Sequence, residues 1–261
     1  MRARPAACPH RRSPNLRWLW AVALAAASIA AGCGPSPAPL PEPPDLGAVD
    51  RSVRDQYRGL RARLDALGPG APASERASAH GDLGLWFHAY RLPEAAELAY
   101  GNALLFEPGS PRWHYLRGVL FAQTGRPAEA AEHFEAAVDA GADSAATVRL
   151  AEVEVELGRV EAAISRLEPV AKAGEGRSVR AKVAMARGLL ARPGASEADR
   201  LRAVALLEAA LALQPRAPGV RYQLATLYRG LGDDANADRQ LAMVAGEAKN
   251  QPADSWLRPR P

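Results

Sequence analysis

The sequence predicts an all-α fold: an α-solenoid of about five helix pairs behind an N-terminal capping helix. Three observations carry that expectation. From about Ser74 to Glu247 apolar residues recur at helical spacing in segments rich in Ala and Leu, with no convincing alternating strand pattern. Gly and Pro fall between those segments, where they break helices. An alanine that opens the second helix of each pair returns at Ala96, Ala130, Ala163, Ala203 and Ala237, at intervals of 34, 33, 40 and 34 residues. A period of that length marks stacked units rather than one bundle.

The first 32 residues belong to something else. Arg2, Arg4, Arg11, Arg12 and Arg17 come with no acid, and the uncharged apolar run from Trp18 to Ala31 follows them. Fourteen residues of helix cover about 21 Å, short of the ~30 Å hydrocarbon core of a membrane. A basic leader followed by such a run reads as an export signal rather than a resident span. Ala30-Ala31-Gly32-Cys33 resembles a bacterial lipoprotein signal, with Ala30 where leucine is more usual. The resemblance implies cleavage after residue 32 and acylation of the Cys33 sulfur. Gly34 after the cysteine, rather than aspartate, implies an outer-membrane address facing the periplasm.

Removal of the leader changes the charge argument. The chain has 33 basic and 29 acidic residues, net +4. Without residues 1–32 the count is 28 against 29, a net charge of −1, so no basic footprint points to nucleic acid. Cys8 leaves with the leader, so Cys33 has no partner for an internal disulfide, and metal sites of the CxxC type are excluded.

Residues 33–47 read as a linker. GPSPAPLPEPP (34–44) holds six prolines, which fix φ and lack the amide hydrogen, so an extended polyproline II segment is expected. At ~3.1 Å per residue it would space the domain about 35 Å from a membrane. Residues 48–76 supply the capping helix, where Val53, Tyr57, Leu60, Leu64 and Leu67 form one apolar stripe before Gly68-Pro69-Gly70.

Residues 77–250 hold the repeats. The first block carries Leu83-Gly84, Phe87, Ala96, Tyr100, Ala103 and Pro108; the second Gly118, Phe121, Gly125, Ala130, Phe134 and Ala137, with Ala142 in place of proline. The third is degenerate, with Leu150-Ala151, Gly158, Ala163, Leu167 and Val170. The fourth has Gly188, Ala203, Leu207, Ala210, Leu211 and Pro215, and the fifth Leu224-Ala225, Tyr228, Gly232, Ala237 and Leu241. These blocks resemble tetratricopeptide repeats. Small residues at Gly84, Gly118, Ala151, Gly188 and Ala225 are expected to let helices approach, with the large residue three positions later filling the space beside them. The polar last helix should act as an end cap. Residues 251–261 read as a fraying tail in which Trp256 and Leu257 could pack back.

Chemistry is sparse. His80 and His88 lie two helical turns apart but lack a third ligand, so surface or half-buried histidines are expected, with no metal and no cofactor. No GxSxG is present, and Ser144, Ser165 and Ser178 lack a neighbouring His/Asp arrangement. Gly174-Glu175-Gly176 reads as a turn, and Glu152, Glu154 and Glu156 as a solvated face. The chain is therefore expected to bind rather than catalyse. The family resemblance implies a groove lined by first helices, here His88, Arg112, Tyr115, Gln123, Glu152, Glu156, Lys182, Met185, Tyr222 and Arg229. Arg112, Tyr115, Lys182, Tyr222 and Arg229 are the anchors to expect. Together the resemblances imply an envelope scaffold or assembly factor that is lipid-anchored and binds a protein partner. A secreted module for a small ligand or cell-wall fragment, or a non-catalytic subunit of an envelope enzyme, is the alternative.

Overall fold

A computed structural model describes residues 36–43, 46, 50–68, 70–172 and 178–249. The leader, Cys33, the Gly174–Gly176 turn and the tail with Trp256 and Leu257 lie outside these residues. Among the described residues there are eleven α-helices and no strand: α1 (Arg51–Asp65), α2 (Ala73–Ala89), α3 (Pro93–Phe106), α4 (Pro111–Gln123), α5 (Pro127–Asp139), α6 (Ser144–Glu156), α7 (Val160–Lys172), α8 (Ser178–Ala191), α9 (Glu197–Leu213), α10 (Pro218–Gly230) and α11 (Asp234–Lys249). None is long and apolar enough to cross a membrane.

The fold is an all-α solenoid of helix pairs. Helices α2 to α11 pair in sequence, and the first helix of one pair also packs on the first helix of the next, α2 on α4, α4 on α6 and α6 on α8. The alanines that mark the period, Ala96, Ala130, Ala163, Ala203 and Ala237, are all fully buried. The long interval before Ala203 holds a wider turn, with Gly194 at φ 71° and a capping box between Ser196 and Asp199 at the start of α9.

Close approach is achieved by a different ring than the sequence suggested. A methyl group added at Gly84 would lie 2.7 Å from the Tyr100 ring, and one at Gly118 would lie 2.8 Å from Phe134. The filling ring therefore comes from the second helix of the pair, while Phe87 and Phe121, three positions on, are buried alongside. Gly81 receives Trp113 from the next pair, and the indole occupies the space that any side chain at position 81 would need. At Gly188 the nearest atom is Cγ1 of Ile164 at 3.3 Å, so the device relaxes along the chain.

Several helices end in a repeated cap. Gly125, Gly158 and Gly232 adopt positive φ, and the amides after them return to Phe121, Glu154 and Tyr228 in a Schellman pattern. Arg91 takes the same conformation at φ 59° without being glycine. Gly141 closes α5 in this way, with the Ala142 amide bonded to Ala137, which explains how the second pair ends without proline.

Helix α1 covers the first pair. Tyr57 is 5% exposed and sits 4.9 Å from the Trp86 ring, while Val53, Leu60 and Leu64 pack on the same cluster. The next helix begins at Ala73, inside the stretch assigned to the cap by sequence. The linker also differs from expectation. Residues 38–42 have no helix or strand, but they are bound to the domain: the Asn102 side chain holds Ala38, Glu42 accepts a hydrogen bond from Tyr57, and Leu40 packs on the core. A free 35 Å spacer is thus shortened, because a buried amide on α3 captures its main chain.

Candidate functional site

The anchors expected from sequence fall into one cluster and three separate places. Arg112 and Tyr115 lie about one turn apart near the start of α4 and line a cavity of about 380 Å³ with Pro111, Ala142, Asp143 and Ala145. The Arg112 guanidinium lies 4.3 Å over the Trp113 ring and 3.3 Å from Asp82 on α2, which also meets Arg63 at 2.9 Å. Tyr115 rests against Phe134, ring centres 5.8 Å apart. Asp143 is occupied as the N-cap of α6, accepting from the Ala145 amide.

The other three anchors are apart from that cavity. Lys182 donates to the Ala171 carbonyl near the C-terminus of α7, where an ammonium satisfies an orphan acceptor and meets the negative end of the helix dipole. Arg229 pairs with Asp238 at 3.3 Å. Tyr222 is 54% exposed. Met185, also expected in the groove, is 2% exposed and belongs to the core.

Charges on the first helices mostly find partners in neighbouring helices. Glu152 receives Arg180 at 2.9 and 3.1 Å, and His88 sits between the Tyr100 hydroxyl and the Gln123 amide oxygen. Glu156 is exposed, but Glu154 is buried and bonded to Arg166, so the three glutamates do not form one solvated face.

A larger cavity was not foreseen. About 620 Å³ opens between α8, α9 and α10, lined by Arg187, Leu190, Arg200, Gln223, Thr226, Leu227 and Gly230. Leu190 is 39% exposed beside it. Both arginines are exposed, and neither has an ion-pair partner among the described residues. Tyr222 stands one turn before Thr226 on α10, and the Thr226 hydroxyl donates to its carbonyl. The lining comes from two successive helix pairs across 44 positions of sequence, from Arg187 to Gly230, which no local motif announces.

The titratable groups are arranged for packing. Burial, with Arg76 and Arg61 nearby, pushes His80 down to about 4, and its ring stacks on Phe106 at 5.7 Å. Burial also lowers His133 to about 4, with Arg117 and His114 adding to the effect. His114 places Nε2 2.8 Å from the Pro108 carbonyl, so that nitrogen carries the proton and Nδ1 accepts from His133 Nδ1 at 2.9 Å. Burial and the Glu208 acceptor raise Tyr228 to about 12. Among the described residues no three His, Cys, Asp or Glu side chains gather as a metal site.

Two family models for tetratricopeptide repeats match this chain, one over residues 74–145 and the other over residues 121–188. Together the two matches span residues 74–188. A comparison with curated proteins returns no match. Among solved structures, MamA (41-end) from Desulfovibrio magneticus RS-1 superposes with a TM-score of 0.60 at 17% identity, covering 68% of this chain and 97% of that one. PilF from Pseudomonas aeruginosa gives 0.58 at 20% identity, covering 67% and 78%. YrrB, described as a tetratricopeptide-repeat protein with an unusual peptide-binding site, gives 0.53 at 18% identity, covering 67% and 88%. At these identities the likeness speaks for the fold. Stacked tetratricopeptide repeats make extended surfaces of the kind used to bind protein partners.

Proposed function

We propose that this chain is a non-catalytic interaction scaffold of the bacterial envelope, lipid-anchored through Cys33, that binds a segment of a partner protein at the cavity between α8, α9 and α10. The observation that carries the reading is that Arg187 and Arg200, beside the exposed Leu190, have no ion-pair partner among the described residues. Most arginines of the domain are spent on neighbouring carboxylates, as Arg126 is on Glu97 and Glu129, or Arg192 on Glu161 and Asp199. Two guanidiniums without a carboxylate partner among the described residues, set around an apolar floor, suit an acidic segment bearing an aliphatic side chain, because guanidinium pairs carboxylates in a fork while the floor buries the alkyl group. The peptide-binding site described for YrrB supports a peptide-sized ligand. The Arg112 and Tyr115 cavity is the second contact in this reading.

Anchoring rests on the lipoprotein resemblance around Cys33. The bound Ala38 lies five residues from that sulfur, so the anchor would stand no more than about 18 Å of chain from the first bound residue.

Affinity capture from detergent-solubilised envelopes tests both claims. Wild-type protein should recover one envelope complex that Arg187→Glu/Arg200→Glu loses and Arg112→Ala/Tyr115→Ala weakens. Cys33→Ser should move the protein from the membrane to the soluble fraction. Recovery indifferent to both double variants would remove the cavities from the mechanism, and membrane association indifferent to Cys33→Ser would remove the anchor.

A further inference from the structure

Asn102 is a polar side chain in the middle of α3, and it is 2% exposed. Its carboxamide faces the main chain of the proline-rich segment. Oδ1 accepts from the Ala38 amide at 2.8 Å, and Nδ2 donates to the Ala38 carbonyl at 2.7 Å. One side chain thus satisfies both main-chain groups of one residue, as a neighbouring strand does in a ladder. The contact reads backbone and is indifferent to the side chain at position 38.

The surroundings complete a binding site. Two residues on, Leu40 packs against the cluster that contains Tyr57, Trp86 and Tyr100, and Leu46 joins it. At the other end of the segment the Tyr57 hydroxyl donates a hydrogen bond to the Glu42 carboxylate at 3.2 Å. Burial and that carboxylate together raise Tyr57 above the ordinary phenol range, so the hydroxyl keeps the proton it donates.

The sequence of the bound segment fits the task. Pro37, Pro39, Pro41 and Pro43 alternate with Ser36, Ala38, Leu40 and Glu42. Proline removes every second donor, so the Ala38 amide needs a partner while its neighbours have none to satisfy. The prolines also pre-set an extended backbone, which lowers the entropy lost on docking. Asn102 has the complementary need, because a buried carboxamide without partners is costly.

We propose that Asn102, Tyr57 and the apolar floor beneath Leu40 form a binding site for an extended peptide in which prolines alternate with other residues, and that the chain's own Ala38–Glu42 fills it in cis. The site lies at the α1 and α3 end of the domain and uses none of the residues of the two cavities, so it stands or falls independently of the partner reading.

The experiment uses the full chain. Amide hydrogen exchange at Ala38 is compared with a free peptide of residues 36–43. The protein should slow it about tenfold or more, the worth of one net hydrogen bond, and Asn102→Ala should abolish that protection. Ala38→Pro/Leu40→Ser removes the donor and the apolar contact, emptying the site while leaving α1 to α11 unchanged. That variant should bind the labelled 36–43 peptide with 1:1 stoichiometry, and the unaltered chain should not. Adding Asn102→Ala to the emptied variant should remove peptide binding while circular dichroism stays helical. Exchange of Ala38 at the free-peptide rate in the intact chain overturns the proposal. So does failure of the helical, emptied variant to bind at about 1 mM peptide, a level that would register even a ~4 kcal/mol interaction. Concentration-dependent dimers of the intact chain that Ala38→Pro/Leu40→Ser abolishes would place the segment in a second copy and overturn the cis assignment.

Discussion

Gly84 and Gly188 occupy equivalent places in their helices and face different neighbours. At Gly84 a methyl group would meet the Tyr100 ring at 2.7 Å, and Tyr100 is fully buried with no room to turn away. Gly84→Ala should therefore cost about 1–3 kcal/mol from overpacking, and Gly118→Ala should behave alike against Phe134. At Gly188 the nearest atom is a methylene of Ile164 at 3.3 Å, the middle of a side chain that can shift by a few tenths of an ångström. Gly188→Ala should be neutral or gain up to about 1 kcal/mol from helix propensity. Urea denaturation of the three variants checks the contrast. His80 and His133 give a second prediction. Both are depressed to about 4 in the folded chain, against about 6.5 when unfolded. Above pH ~6.5 both states are neutral and no dependence arises. As pH falls from ~6.5 towards ~4 the unfolded chain takes protons that the folded chain refuses, so stability falls, by at most about 1.4 kcal/mol per pH unit for each histidine. His80 Nδ1 is buried without a hydrogen-bond partner among the described residues. His80→Leu should keep stability at pH 7 and remove its part of the acid slope, as read from unfolding midpoints between pH 4 and 7.

Turns and caps decide where each helix stops, and one of them is strained. Arg91 ends α2 at φ 59°, where Gly125, Gly158 and Gly232 end later first helices. A side chain in that conformation costs about 1–2 kcal/mol. Arg91→Gly should stabilise the domain by about 1 kcal/mol in chemical denaturation, and Gly125→Arg should lose a similar amount. Ser196 caps α9 reciprocally with Asp199, whose carboxyl is held below its ordinary range by Ser196 and by Arg192. The breaks between helices were legible because Gly and Pro are local signals, as at Gly68-Pro69-Gly70, whereas first-position prolines such as Pro93, Pro111, Pro127 and Pro218 fix where each helix starts. The register was legible because alanine repeats where helices touch. The identity of the packing rings was not, since Tyr100 reaches Gly84 from the other helix of the pair. Nor was the 620 Å³ cavity, because its lining is brought together from three helices between Arg187 and Gly230. Arg112 and Tyr115 were found together only because about one turn separates them, whereas Lys182 serves the end of α7, a use that depends on where α8 packs.

Across the whole domain, charge links one helix pair to the next. Glu97 holds Arg126, Glu135 holds Arg166, and Glu168 holds Arg202, while Glu154 meets Arg166 within its own pair. Most of these pairs are partly exposed, so added salt should change stability little. Glu154 is the exception: its side chain is 5% exposed and one of its oxygens has no partner among the described residues. Arg166→Ala would strand that carboxylate at a cost of about 3 kcal/mol, while Glu154→Leu/Arg166→Met should lose far less. Thermal and urea unfolding of both variants decide between a pair that stabilises and one that merely avoids a buried charge. The strap on Asn102 has a further consequence, in mechanics. Tension applied to the N-terminal side of residue 38 reaches Asn102, Leu40 and Tyr57 before it reaches the first turn of α1. Three hydrogen bonds and the Leu40 contact should yield at a lower load than a stacked helix pair. Their rupture would free up to about 40 Å of contour between residues 38 and 50, so the segment would act as a resettable fuse that gives slack while the solenoid stays folded.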